Sequence, residues 1–350
     1  MKRLALVLAA ATLLLPSAAS AAACSPLNCA PSQFSLAGGS LLGFRTAAEA
    51  PVTVVDLKTG QSRWTLPWGF TGRDLLVHQN ARTIVWYDAS KGSRVARATL
   101  AKGGTLVGVS QSGTRAVVRR IRNAWTEFRV VAPGATERAI RVPRGNWDFD
   151  ALLGDHLFLI KYLAGGGYQV LLAHVGSGKL DAAPLKDPHE SGTIWGQPFE
   201  RLASADGRFL FTLYIGQNGG AMVHELDLKA ATARCIDLPG TGDYGAATSW
   251  AMLLSKDEGT LWATSPGYGR VVAIDVASRE VSSAFRITLA SWNLGNGTRA
   301  ALAPDGQHVA LADGETVAIL GLAEKKVVER NSVKATAVGY SPDGKLWTFS

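Results

Sequence analysis

Residues 204–211 read SADGRFLF: a small polar residue, an Asp-Gly pair, and the start of an apolar run that continues to Ile215. Asp-Gly supplies the positive φ of a tight hairpin, and the run that follows is rich in residues that suit a pleated, buried surface. The stretch therefore predicts a turn feeding a β-strand. The same phrase returns as SQSG at 110, SKDEG at 255, APDG at 303 and SPDG at 341, with weaker forms HQNAR at 78 and LLGDH at 152.

A second phrase follows each hairpin: an apolar strand, a polar turn and another short strand. VTVVDLKTGQSRWTL at 52 and VVAIDVASREVSSAFRI at 271 are clear instances, and others begin at 86, 129, 170, 223 and 317. Seven units over the chain after residue 23 give about 47 residues each, the size of a four-stranded propeller blade. The apolar alternation has period two, as in Val272, Ile274 and Val276, and no long segment of period 3.6 occurs after residue 50. The expected fold is an all-β, seven-bladed β-propeller with four-stranded antiparallel blades over 51–350. The chain ends on SPDGKLWTFS, and the unit at 52 has no turn phrase of its own in front of it. Residues 335–350 and 51–66 are therefore expected to share one blade and to close the ring by strand pairing.

The SPDG hairpins and the VVAIDVASREV pattern resemble the YVTN-repeat and WD-like families of secreted bacterial propellers, across nearly all of 50–350. The strict Trp-Asp ending of WD repeats is missing. The resemblance implies a fold rather than an activity.

The first 23 residues combine Lys2 and Arg3, an apolar run from Leu4 to Leu15 and small residues before Cys24, which predicts a signal peptide too short to span a bilayer. The protein is expected to be secreted, periplasmic or at the cell surface, as a monomer without a transmembrane segment. Residues 24–50 read as an N-terminal segment containing CSPLNC. Cys24 and Cys29 either form a local disulfide, leaving Cys235 as a free thiol, or Cys24 carries a lipid and Cys29 is free to pair with Cys235.

Function is less legible. No G-x-S-x-G elbow, HExxH, DxDxDG or Gly-rich strand-to-helix loop is present, which removes the hydrolase, zincin, EF-hand and nucleotide-binding readings that depend on those motifs. Trp68, Trp147, Trp195, Trp250 and Trp292 precede hairpin phrases in five units. They are candidates for an aromatic rim, in two sets by spacing: Trp147 with Trp250, and Trp68 with Trp195 and Trp292. Asp148, Asp150, His189, Glu190, Glu200 and Asp243 are the acid, base or metal candidates near the same end. A calcium ion held by some of Asp148, Asp150, Glu200 and Asn293 would support a propeller hydrolase or lactonase. The leading expectation is a binding or scaffold protein without a cofactor or catalytic group.

Charge points to the partner. Residues 89–147 hold twelve basic residues against Glu127 and Glu137, which leaves the rest of the chain after residue 23 mildly acidic. VVRRIRNAW concentrates this sector, and Arg119, Arg120 and Arg122 are its candidate binding residues, with Arg120 and Arg122 expected opposite Ile121. An anionic envelope polymer, an acidic polysaccharide, phospholipid headgroups or an acidic protein would fit. Nucleic acid is not expected, since aromatic interleaving is confined to Trp125 and Phe128.

Overall fold

The computed structural model describes residues 33–350 apart from 48, 165, 191, 290–291 and 295–296. Seven four-stranded antiparallel sheets follow one another along the chain, over 33–66, 70–99, 105–143, 147–185, 197–238, 251–286 and 299–332. They are the blades of a seven-bladed β-propeller, here numbered 1 to 7. Helix contributes almost nothing; Tyr244–Ala247 forms a single turn, capped by the Asp243 carboxylate.

First strands of neighbouring blades touch each other, whereas fourth strands such as Ser93–Thr99 and Glu280–Arg286 are largely exposed. The first strand is therefore innermost and the fourth forms the rim. The strand begun by SADGRFLF, Phe209–Ile215, is the second of blade 5, and both its faces are covered. Phe211, Leu213 and Ile215 pack on Trp250, Met252 and Leu261 of blade 6. Leu210 and Tyr214 pack the other way, on Phe158, Ile160 and Tyr168 of blade 4. Double coverage is why the strand reads as a continuous apolar run, and each such buried side chain contributes about 1.5–3 kcal/mol.

The recurring phrase has a local chemical cause. In SADG, Gly207 takes φ +73°, its amide donates to the Ser204 carbonyl at 2.8 Å, and the Ser204 hydroxyl donates to Asp206 while accepting from the Phe209 amide at 2.9 Å. SPDG repeats the pattern: the Ser341 hydroxyl bonds Asp343 and accepts from the Lys345 amide. Serine and aspartate thus satisfy the turn's orphan backbone groups, and glycine takes the left-handed position. The seven second phrases all form third-to-fourth strand hairpins. HQNAR is different. It joins the second and third strands of blade 2, Leu75–Asn80 and Thr83–Asp88, and lies at the opposite end from the SADG-type turns.

Ring closure departs from the expectation. Val52–Asp56 pairs with Leu41–Phe44, which pairs with Gln33–Leu36, so blade 1 draws all four strands from 33–66. The propeller accordingly begins inside the segment read from sequence as preceding it. The C-terminal strands Ala337–Tyr340 and Leu346–Phe349 pair only with each other. Their hairpin is wedged between blades 7 and 1. Phe349 stacks on Phe44 with centroids 5.6 Å apart, Ala337 and Trp347 join Leu42, Val55 and Leu57, and Val338 and Leu346 meet Ala312 and Val317. Gln33 ties the seam, donating to the Ala300 carbonyl at 2.8 Å and accepting from the Val338 amide at 3.1 Å. Side-chain packing, not a shared sheet, closes the ring. The physical reason is that 33–44 already supplies the inner partner of Val52–Asp56, through a turn at Ala37–Gly39 that lacks the Asp-Gly signal.

Cys24, Cys29 and the signal segment lie outside the described residues. Cys235 has no disulfide partner among the described residues, and burial pushes its thiol pKa up to about 12, which makes it a poor nucleophile. No helix among the described residues is long and apolar enough to cross a membrane.

Candidate functional site

Each first strand starts from an inter-blade connection and each second strand returns to the same end, so inter-blade connections and second-to-third turns share one face of the disc. All five candidate tryptophans lie in or next to those connections, yet they do not form one ring. Trp147 and Trp250 are buried between blades; Trp147 donates to the Pro143 carbonyl at 2.9 Å and carries Lys161 over its ring at 5.7 Å. Trp68 leans on Phe70, and Trp292 is half-buried with its indole N–H on the Thr298 hydroxyl at 3.2 Å. Trp195 stands out at 59% exposure. The split follows spacing: the shorter-spaced pair, Trp147 and Trp250, is in the core.

The carboxylates proposed as calcium ligands face separate partners. Asp148 accepts from Arg119 at 3.0 Å, Asp150 is ion-paired with Arg201, and Glu200 accepts from the Met252 amide at 2.7 Å. The backbone N–H of Asn293 donates to Asp313. No group of three or more His, Cys, Asp or Glu suited to a metal occurs among the described residues. Calcium needs six to eight converging oxygens, and arginines hold two of the three carboxylates, so these four residues do not fit the ion and the metal-based hydrolase reading has no site in them. Burial pushes Asp148 up to about 6, against the pull of Arg119, and Glu200 up to about 7, against the Met252 amide and Arg299. His189 and Glu190 lie in the connection between blades 4 and 5, where Asp187 accepts the His189 amide. Asp243 is spent on its helical turn.

Blade 3 carries the main concentration of charge. Its second strand, Ala116–Ile121, sends side chains alternately toward blades 4 and 2. Arg119 goes to blade 4, donating to the Trp147 carbonyl at 2.7 Å as well as to Asp148. Arg120 goes the other way, to Glu127, its cross-strand partner. Glu127 is buried on the third strand, Trp125–Ala132, and is shared. Arg120 and Arg129 approach it at 3.4 Å, and Arg141, opposite it on the fourth strand, at 3.6 Å. Arg141 also lies over the Trp125 ring at 5.3 Å and its side chain remains 66% exposed. The Nε atoms of Arg120 and Arg129 are buried without a hydrogen-bond partner. Arg122 is exposed at the turn. The three arginines singled out from sequence thus split three ways: one held by Asp148 and the Trp147 carbonyl, one on Glu127, one exposed at the turn.

Arg129 and Arg141 were counted in the basic sector but not singled out. Their convergence depends on cross-strand register in a blade with poor repeat consensus, and the signal available in sequence was a lone glutamate, Glu127, two residues from Arg129 and flanked by arginine-bearing strands on both sides. From His78 to Tyr162, the exposed charged groups in turns and strand ends at this face are Arg82, Lys102, Arg122, Arg141, Arg144 and Lys161. The carboxylates there, Glu127 and Asp148, are buried and paired.

The fold has many solved counterparts. A structure of Citrobacter koseri AztD is 14% identical, with 86% of each chain covered at a TM-score of 0.53. The apo form of that protein is 15% identical over the same shares at 0.51. Kuenenia stuttgartiensis hydrazine synthase is 14% identical over 79% of this chain and 89% of its own, at 0.44. No family model matches the sequence, and no curated protein does. The AztD likeness supports the propeller fold and stops there.

Proposed function

We propose that this chain is an exported binding propeller, similar to the secreted bacterial YVTN-repeat and WD-like propellers, which grips an anionic component of the cell envelope at the inter-blade face of blades 2 to 4. The observation that carries the reading is the sharing of Glu127 by three arginines. One carboxylate cannot neutralise three guanidinium groups, and partly exposed Arg129 and Arg141 keep donors for a ligand's oxyanions. Arg82, Lys102 and Arg122 extend the same sign of charge and would steer a polyanion toward the site. Export rests on the signal-like residues 1–23, and mass measurement of the mature protein checks it.

Dextran sulfate, a soluble polyanion, serves as the probe. The wild type is expected to stay on a dextran sulfate column to well above physiological salt, and Arg129→Ala with Arg141→Ala to elute at clearly lower salt with an unchanged thermal midpoint within a few degrees. Equal elution of the two proteins would overturn the site.

A further inference from the structure

The second-to-third turn of blade 3 is a hairpin tip, IRNAW over 121–125, closed by the Arg122 amide on the Trp125 carbonyl at 2.9 Å. Ile121 is 73% exposed, more than any other large apolar side chain among the described residues, and Trp125 beside it is 38% exposed. A soluble surface gains nothing by holding an isoleucine in water at the end of a well-formed hairpin. The other exposed large apolar groups fall in two places. Val95, Val281 and Val328 sit on rim strands, while Trp195, Tyr244 and Val333 lie in inter-blade connections, on the same face as the tip. That face therefore carries exposed apolar and aromatic side chains in several of its connections. Around the tip the exposed cations Arg82, Lys102, Arg122, Arg141, Arg144 and Lys161 stand together, whereas on the other blades this face mixes signs, with the acids Glu49, Glu190, Asp243 and Glu315 beside the cations Lys186, Arg286 and Lys334.

From this geometry we propose that the inter-blade face docks on an anionic lipid bilayer, tilted onto blade 3, with Ile121 and Trp125 entering the interfacial zone. Arg122 and Arg141 meet headgroup phosphates, and Arg141, stacked on Trp125, links the two kinds of contact. Tryptophan and tyrosine favour the headgroup level, and apolar insertion beside basic residues is how a peripheral protein gains both area and charge energy at an anionic surface. The inference rests on the anion-binding reading and names its ligand as lipid. The chain also enters blade 1 at this face, at Gln33.

The test is co-sedimentation of the mature protein with vesicles of phosphatidylcholine alone or with about a third phosphatidylglycerol, at physiological ionic strength. Binding to the anionic vesicles only is expected. Ile121→Ser, which touches none of the arginines of the anion site, is expected to weaken it roughly tenfold, from the lost apolar burial, while retention on dextran sulfate stays as in the wild type. Vesicle binding unaffected by this substitution overturns tip insertion. Wild type that holds dextran sulfate but ignores anionic vesicles overturns the lipid assignment, points to a soluble polyanion or acidic protein, and leaves the anion site standing. Failure on both probes removes both readings.

Discussion

Blade 3 uses arginine in opposite ways on its two faces. Toward blade 4, Arg119 meets one carboxylate, Asp148, and one carbonyl, and behind them Arg201 meets Asp150. Toward blade 2, Arg120, Arg129 and Arg141 share Glu127. The chemistry of the side chains is the same on both faces; the ratio of charges differs. A one-to-one pair balances its charge within the fold, even with Asp150 Oδ2 and Arg201 Nε left without a hydrogen-bond partner, and is strongly destabilising to break, whereas a surplus of partly exposed guanidinium groups is left to be completed from outside.

The comparison breaks most sharply in the interior. Asp150→Ala leaves Arg201 buried without its partner and is expected to lower stability by about 3–5 kcal/mol in urea denaturation. A loss below 1 kcal/mol would mean that water reaches the pair and that the two faces differ less than the geometry says. Glu200 provides a gentler probe of the same interior. Its folded pKa, about 7, lies above its ordinary 4.5, so it takes up protons on folding. Its contribution to stability is fully present below about pH 4.5 and is lost as pH rises through about 7. Glu200→Gln keeps an oxygen for the Met252 amide, and the fall in thermal midpoint between pH 5 and pH 8 is expected to shrink relative to wild type. An identical fall in both proteins would show that Glu200 stays ionised in the fold.

On the opposite face, Glu127→Gln removes the shared carboxylate. Because glutamine keeps an oxygen for the guanidinium groups and Arg129 and Arg141 are partly in solvent, the expected cost is about 1–3 kcal/mol, below that of Asp150→Ala, and retention on dextran sulfate should rise because the surplus charge grows. Weaker retention would mean that Glu127 orients the arginines more than it neutralises them.

Legibility in the sequence followed the range of the interactions. SADG and SPDG are solved within five residues by a serine hydroxyl, an aspartate and a left-handed glycine, and VVD, ELD and AID end strands on aspartates that accept from the turn that follows. Such phrases announce hairpins wherever they occur. HQNAR, a turn at the other end of the blade, looked alike because turn residues report a reversal and not which end of a strand it caps. The Ala37–Gly39 turn of blade 1 was missed for the converse reason: its 3-10 geometry lacks the Asp-Gly signal, and with it went the inner half of that blade. Arg119 and Arg120, adjacent in sequence, part company because successive side chains of a strand point to opposite faces.

The sequence by itself determined an all-β propeller of seven four-stranded blades and a basic sector over 89–147, because turn chemistry, period-two alternation and charge count are local properties of the chain. Only the tertiary structure decided how the ring closes, which tryptophans are core, and which arginines are spent. Those outcomes depend on partners such as Phe44 and Phe349, or Arg119 and Asp148, brought together by packing between blades, and nothing in the spacing of one strand specifies its neighbour across an interface.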